Sequence, residues 1–517
     1  MASAEPKALD LRDWLGFAAM AVGVFMAILD IQIVASSLQQ IQAGLSATRD
    51  EIAWVTTSYL IAEVVVIPLS GWLARALSTR YLFAIASMGF TLMSGLCAFA
   101  WSLPSMVVFR TFQGAFGGVM IPTVFSVIYT MFPPRLQTPI TVVLGLIVTL
   151  APTTGPVLGG YLTEVLSWHA LFLVNLVPGF LIGLLTLFFV RVDKPDWSLL
   201  RRIDFLGAIL VILFLGSLQY VLEEGVREEW FDSREISFFA VLAVISGILM
   251  VIRELSIAEP IVDLRAFRDR NFAVGCVYSF ILGTGIYTVL YLMPMYLSGV
   301  KGLNSLQIGQ YLIVTGTFQF FSAFCAGIAA RRMDSRLMLA LGLAVYGTGA
   351  WLNGDMSYES GFGDFFLPQA LRGISMMFIF LPINALALGT LPSHEVKNAS
   401  GLYNLMRNLG GAIGLATANT LIVQWQKQHY ANLRESITGG SYQTLQTLRY
   451  LTANAARHMS PDPGLTAWSQ ISDLLWREAY VMTSNELFKL MSLLFLGALL
   501  LMPLVRKVSM GGGGGGH

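Results

Sequence analysis

Gly71-Trp72-Leu73-Ala74-Arg75-Ala76-Leu77-Ser78-Thr79-Arg80 has a counterpart in Gly327-Ile328-Ala329-Ala330-Arg331-Arg332-Met333-Asp334-Ser335-Arg336, and both obey G-x-x-A-R-x-x-x-x-R. Each segment closes one long apolar stretch and leads into the next. A second echo joins Arg110-Thr111-Phe112-Gln113-Gly114, with Pro122, to Gln369-Ala370-Leu371-Arg372-Gly373, with Pro382; the order of Arg and Gln is exchanged. From Gly71 to Gly327 the displacement is 256 residues, and from Pro122 to Pro382 it is 260. Such echoes imply two homologous halves, an arrangement that transporters use with the substrate site near the midplane between them.

The composition agrees with a chain built for lipid. Charged residues make up 12% and apolar residues 55%, against about 25% charged in ordinary soluble domains. A helix needs about 20 apolar residues to cross the hydrocarbon, and fourteen stretches qualify, the first at 14–38, the second at 52–74 and the fourth at 106–129. Six belong to each repeat, with two additional spans between them. The expected organisation is a tail at 1–13, a six-helix bundle at 14–190, a linker with two spans at 191–271, a second bundle at 272–505 that includes a polar loop at 424–486, and a tail at 506–517. Lys and Arg set the orientation: nineteen lie in one set of tails and short loops, whereas the other set holds only Arg49, Arg227, Arg234 and Lys301. Both termini are therefore expected in the cytoplasm. A net charge of +1 argues against a nucleic-acid partner, and Cys97, Cys276 and Cys325 lack disulfide or metal-ligand spacing.

Loop 424–486 is longer than structureless connections usually are. Residues 442–456 suit a helix, and Pro461-Asp462-Pro463-Gly464 is a strong break. The loop reads either as a folded lid or as a docking surface on the outer face. The Gly511–Gly516 run with His517 is low-complexity sequence.

A few charges sit inside the spans: Asp30, Glu63 and Arg110 in the first half, Arg372 and Arg407 in the second. A charge at mid-membrane costs at least about 2.5 kcal/mol, so each is a candidate functional residue. Arg110, Gln113 and Gly114 share one helix face. A buried arginine keeps its proton and needs an acceptor, for which Asp30 and Glu63 are the available carboxylates. The pair is either a proton switch or a static brace. Asn404 lies one turn before Arg407, where it either orients the guanidinium or shares a ligand with it. Arg372 and Arg407 either neutralise an anionic substrate or bind helix carbonyls and hydroxyls. In the fifth span, Gly155 and Gly159 form a small-x-x-x-small face and Pro156 removes one backbone hydrogen bond; Gly160 completes the segment. No His-Asp, Ser-His or metal cluster lies in the spans, so neither an enzyme nor a metal site is expected.

Several segments together resemble the major facilitator superfamily, and within it the fourteen-span drug:proton antiporters of EmrB type. They are Leu29-Asp30-Ile31-Gln32-Ile33-Val34, the Gly71 and Arg110 motifs, Gly155-Pro156-Val157-Leu158-Gly159-Gly160, Trp168 to Gly179 with Phe172, Asn175 and Pro178, and Arg407-Asn408-Leu409-Gly410-Gly411. The resemblance implies an all-α polytopic membrane protein of the major facilitator fold, with two six-helix bundles and two extra central spans. It implies proton coupling through Asp30 and Arg110; Glu63, outside the general family pattern, is either the proton carrier or a site for cationic substrates. It makes Gly155, Pro156, Gly159 and Gly160 an antiporter hinge. A substrate cavity lined by Gln32, Gln113, Tyr287, Tyr291, Arg372, Asn404 and Arg407 is expected. The implied activity is export of hydrophobic or amphipathic drugs across a bacterial inner membrane, driven by the proton motive force without a cofactor. The implied partners are an EmrA-like periplasmic adaptor and a TolC-like outer-membrane channel. The alternative is proton-coupled export of one metabolite, such as an amino acid, a siderophore or a lipid-like acid. The chain departs from the family pattern where Ala74 replaces a usual Asp and Ser78 a usual Gly, which removes the charge relay made through that Asp.

Overall fold

The computed structural model describes residues 10–48, 51–392, 394–437, 442–458 and 461–507, and the described residues form helices without a strand. Fourteen long helices carry the architecture: α1 (Leu11–Ala35), α2 (Trp54–Leu77), α3 (Thr79–Ala98), α4 (Leu103–Met131), α5 (Pro134–Val165), α6 (Leu176–Phe189), α7 (Phe205–Glu224), α8 (Arg234–Ser256), α9 (Arg270–Gly299), α10 (Ser305–Ala329), α11 (Ser335–Asn353), α12 (Phe362–Leu388), α13 (Val396–Ser436) and α14 (Pro463–Ala498). Among the described residues, twelve segments are long and apolar enough to cross a membrane. The remaining two helices, α11 and α13, pack lengthwise on their neighbours; α13 carries Lys397, Asn398, Asn404, Arg407 and Asn408.

The repeat in the sequence is a repeat in packing. In the first half α1 packs on α5, α2 on α4, and α3 on α4 and α6; in the second, α9 packs on α13, α10 on α12, and α11 on α12 and α14. Glycines at matching places allow these approaches. A Cβ at Gly114 on α4 would lie 2.3 Å from the Tyr59 carbonyl oxygen on α2, and one at Gly373 on α12 would lie 2.4 Å from the Thr315 carbonyl oxygen on α10. Both distances are too short for a side chain, so the helices meet backbone to backbone, as small residues permit in lipid. Gly155 and Gly159 on α5 face α1 in the same way, 2.3 Å from Gln32 Cβ and 2.5 Å from Ser36 Oγ, whereas Gly160 meets nothing within 4 Å.

The halves meet through α2 against α13 and α5 against α10. They are sealed at the end where α1 begins and α2 ends. There a Cβ at Gly71 would lie 2.6 Å from Asn398 Cα, and Ser400 Oγ donates to the Pro122 carbonyl at 2.6 Å. Asp193, after α6, accepts from the backbone N–H of Thr79 at 3.0 Å and forms an ion pair with Lys397 of α13. A carboxylate thus joins the halves here although Ala74 occupies the motif position where the family usually has one. The inserted pair α7 and α8 packs on the first half and reaches the second, because α7 touches both α2 and α13.

Much of segment 424–486 is helical. α13 runs for 41 residues, about 60 Å at 1.5 Å per residue, and so extends well beyond a hydrocarbon layer of about 30 Å. Asp462 accepts from the Leu465 N–H at 3.0 Å, and Pro463 occupies the first turn, so the Pro-Asp-Pro-Gly break is the start signal of α14. The projecting ends are tied by Tyr430 OH to Ser472 Oγ at 2.9 Å and by Gln426 Nε2 to the Trp476 carbonyl at 3.2 Å. A helix at Tyr442–Arg457 packs on α14.

Two outcomes are expected. Gly410→Ala places a Cβ 2.1 Å from the Phe280 carbonyl oxygen and should cost about 1–3 kcal/mol by overpacking, lowering the thermal unfolding midpoint in detergent, while Gly160→Ala should not lower it; equal midpoints would contradict the packing described. Asp193→Asn should speed maleimide labelling of a cysteine placed at Asn398 several-fold, and an unchanged rate would show that the ion pair does not hold this end shut.

Candidate functional site

Asp30 and Arg110 meet in the middle of the first half. Arg110 Nη1 lies 2.6 Å from Asp30 Oδ2, and both side chains are fully buried. The pair is satisfied from several helices at once. Gln113 Nε2 and Asn175 Nδ2 donate to Asp30 Oδ1 at 3.2 and 2.7 Å, and Arg110 Nε donates to the Val55 carbonyl at 3.1 Å. Gln113 Oε1 accepts from Arg110 Nη1 at 2.9 Å, so the side chains three residues apart share one face. The Tyr59 ring lies 4.2 Å from the guanidinium carbon, covering a group whose Nη2 has no hydrogen-bond partner. Of the two available carboxylates, Arg110 takes Asp30.

Glu63 lies elsewhere. It is buried and lines a cavity of about 340 Å³ between the halves, and it makes no hydrogen bond or ion pair among the described residues. Gln32, Tyr287, Tyr291, Arg372 and Arg407 line the same cavity. Gln113 belongs to the Asp30 cluster and Asn404 stands behind Arg407, so neither lines it. The wall is formed by the C-terminal half of α1, the N-terminal half of α2 and facing residues of α4, α5, α7, α9, α10, α11, α12 and α13. At Ile121 the wall adjoins Pro122 of the sealed end.

The second half answers the first in form and differs in charge. Arg372 donates to Gln369 Oε1, which also accepts from Thr315 Oγ1 at 2.6 Å. Arg407 Nη2 donates to Asn404 Oδ1 at 2.5 Å, and its guanidinium carbon lies 5.4 Å from the Phe125 ring. Among the described residues neither has a carboxylate partner, and Arg372 Nε and Nη1 and Arg407 Nη1 are buried without an acceptor. Among the described residues no group of three or more His, Cys, Asp or Glu is placed to hold a metal ion.

Sequence reasoning misses four residues here. Asn175 is visible in its motif, yet its contact with Asp30 spans 145 positions. Tyr59 has no local signal. Gln219 and Glu223 of α7 line the cavity, although α7 lies outside both repeats.

The Major Facilitator Superfamily profile matches residues 20–415. The chain is 38% identical over 483 residues to the colistin resistance protein EmrB of Acinetobacter baumannii, covering 93% of this chain and 94% of the relative. It is 29% identical over 505 residues to the multidrug export protein EmrB of Escherichia coli, covering 96% of each. It is also 29% identical over 501 residues to the fatty acid resistance protein FarB of Neisseria gonorrhoeae, covering 96% of this chain and 97% of the relative. The fold is similar to that of the proton:xylose symporter XylE, with a TM-score of 0.58 at 12% identity, covering 96% of this chain and 98% of that one. The sealed, two-half helical architecture with its central cavity and these full-length relatives lead to one assignment: the chain is a multi-pass membrane transporter, not an enzyme, and belongs to the major facilitator superfamily in its EmrB-like multidrug efflux family.

Proposed function

We propose that the protein is a proton-driven antiporter that exports hydrophobic or amphipathic compounds across a bacterial inner membrane, with both termini in the cytoplasm. The observation that carries this reading is the fully buried Asp30–Arg110 pair. Protonation of Asp30 removes the charge that holds Arg110, and the guanidinium, which keeps its proton, must then find other acceptors. The helices that donate to the pair move with it. Glu63, facing the cavity without a hydrogen-bonded partner, is open both to protons and to cationic substrates. The excess of Lys and Arg in the loops at the sealed end supports a cytoplasmic position for it. The cavity then opens outward, as release of an exported compound requires. One proton crossing 100 mV releases about 2.3 kcal/mol, enough for a solute gradient of roughly fifty-fold.

The second reading, export of one acidic metabolite, is favoured by the acceptor-free guanidinium nitrogens of Arg372 and Arg407. Both readings are tested in proteoliposomes under an imposed pH gradient. Asp30→Asn should cut gradient-driven transport at least tenfold, and Glu63→Gln should lower it for cationic compounds. Undiminished pumping by both variants would end the coupling scheme, and transport confined to a single acid would favour the metabolite reading.

The relatives' names and the projecting ends of α13 and α14 support assembly with an EmrA-like adaptor and a TolC-like channel. The loop at 424–486 is the proposed contact; residues 438–441 and 459–460 of it lie outside the described residues. Deletion of 438–463 should abolish co-purification of the adaptor while leaving the fold intact, and unchanged co-purification would refute the assignment.

A further inference from the structure

The inserted helix α7 is a wall of the central cavity. It packs on α2 through stacked Trp54 and Tyr220 rings, 5.8 Å apart, and Thr57 Oγ1 donates to Glu224 at 3.1 Å. The turn beyond it is tied to α13 by Trp230 Nε1, which donates to Thr420 Oγ1 at 3.1 Å. Held from both sides, α7 presents Gln219 and Glu223, one turn apart, to the cavity.

The two adjacent acids of α7 have different surroundings. Glu224 forms an ion pair with Arg227 at 2.8 Å and accepts from Thr57, so its charge is answered within the protein. Glu223 accepts only from Gln219 Nε2, at 2.8 Å, and no ion pair reaches it among the described residues. Gln219 is itself 2% exposed, and its Oε1 has no hydrogen-bond partner. The adjoining helix α2 lines the same cavity with Glu63 and with Thr56, whose Oγ1 also lacks a partner among the described residues. An amide oxygen, two carboxylates and a hydroxyl thus line one cavity as acceptors, while Tyr287, Tyr291 and aliphatic residues supply apolar surface. A cavity of about 340 Å³ falls in the range that small organic ligands occupy.

We propose that Gln219 and Glu223, with Thr56 and Glu63, form a substrate subsite on the α7 wall that takes the cationic, hydrogen-bond-donating head of an amphipathic compound. This rests on the export reading and adds to it a substrate class and a role for the inserted span. An unpaired carboxylate and an unpartnered amide oxygen gain most from a ligand that brings both positive charge and N–H groups. Arg372 and Arg407, on the second half's side of the same cavity, would instead meet an anion.

The test is direct binding to the purified full chain in nanodiscs, read by fluorescence without any gradient. The probes are ethidium, a cation with two amino groups, and anilinonaphthalene sulfonate, an anion. Glu223→Gln should weaken ethidium binding roughly tenfold, the worth of one hydrogen bond to a charged group, and leave the anion's binding unchanged, with Glu223→Asp restoring part of the loss. A structural role for Glu223 would move both probes together and overturn the proposal, as would equal ethidium binding by wild type and variant, or none by the wild type. Gradient-driven transport by the wild-type chain is measured separately. If that fails while the binding difference holds, the export reading falls and the subsite stands.

Discussion

The contact between Asp30 and Arg110 is the interaction on which the first half depends. Removing two charges from water costs several kcal/mol each even after relaxation, and their attraction repays that only with excellent geometry and further hydrogen bonds. Here those bonds are distributed. The carboxylate is on α1, the guanidinium and Gln113 on α4, the Val55 carbonyl and Tyr59 ring on α2, and Asn175 just before α6. Asn175 also donates to Ser94 of α3 at 3.1 Å. Five helices therefore share one electrostatic centre, and a change in its charge is felt by all of them.

The two halves repeat their backbone packing and part company in electrostatics. Glycines hold α4 on α2 and α12 on α10 with matching closeness. Yet the first half answers its arginine with a carboxylate, while among the described residues the second offers Arg372 a glutamine and Arg407 an asparagine. The cavity between the halves is therefore not symmetric: carboxylates stand on the side of α2 and α7, and guanidinium groups on the side of α12 and α13.

The fold was largely legible in the sequence because its determinants are local. Apolar length decides which segments are helices in lipid, and the Gly71 and Gly327 motifs reveal the duplication. Asp30, Glu63 and Arg110 stand out because a charge in an apolar run needs a reason. Which neighbour an apolar helix chooses is not written in its periodicity, so Gln219 and Glu223 at the far end of α7 give no sign that they reach the cavity. Asp193 and Lys397 are 204 positions apart and sit in what reads as ordinary polar sequence. The segment at 424–486 shows a different limit: polarity marks it as outside the bilayer, but α13 and α14 simply continue into it, anchored by Asp462 and Pro463.

Asp193 does two jobs with one side chain, and this has a mechanical consequence. Its carboxylate is gripped by the first N–H of α3, a bond internal to the first half, and it presents its remaining capacity to Lys397 of the second. Parting of the lobes would take the lysine away and leave the acid held by the Thr79 N–H. The clasp would then return to a jaw already in position, and closure would need only one flexible side chain to be recaptured.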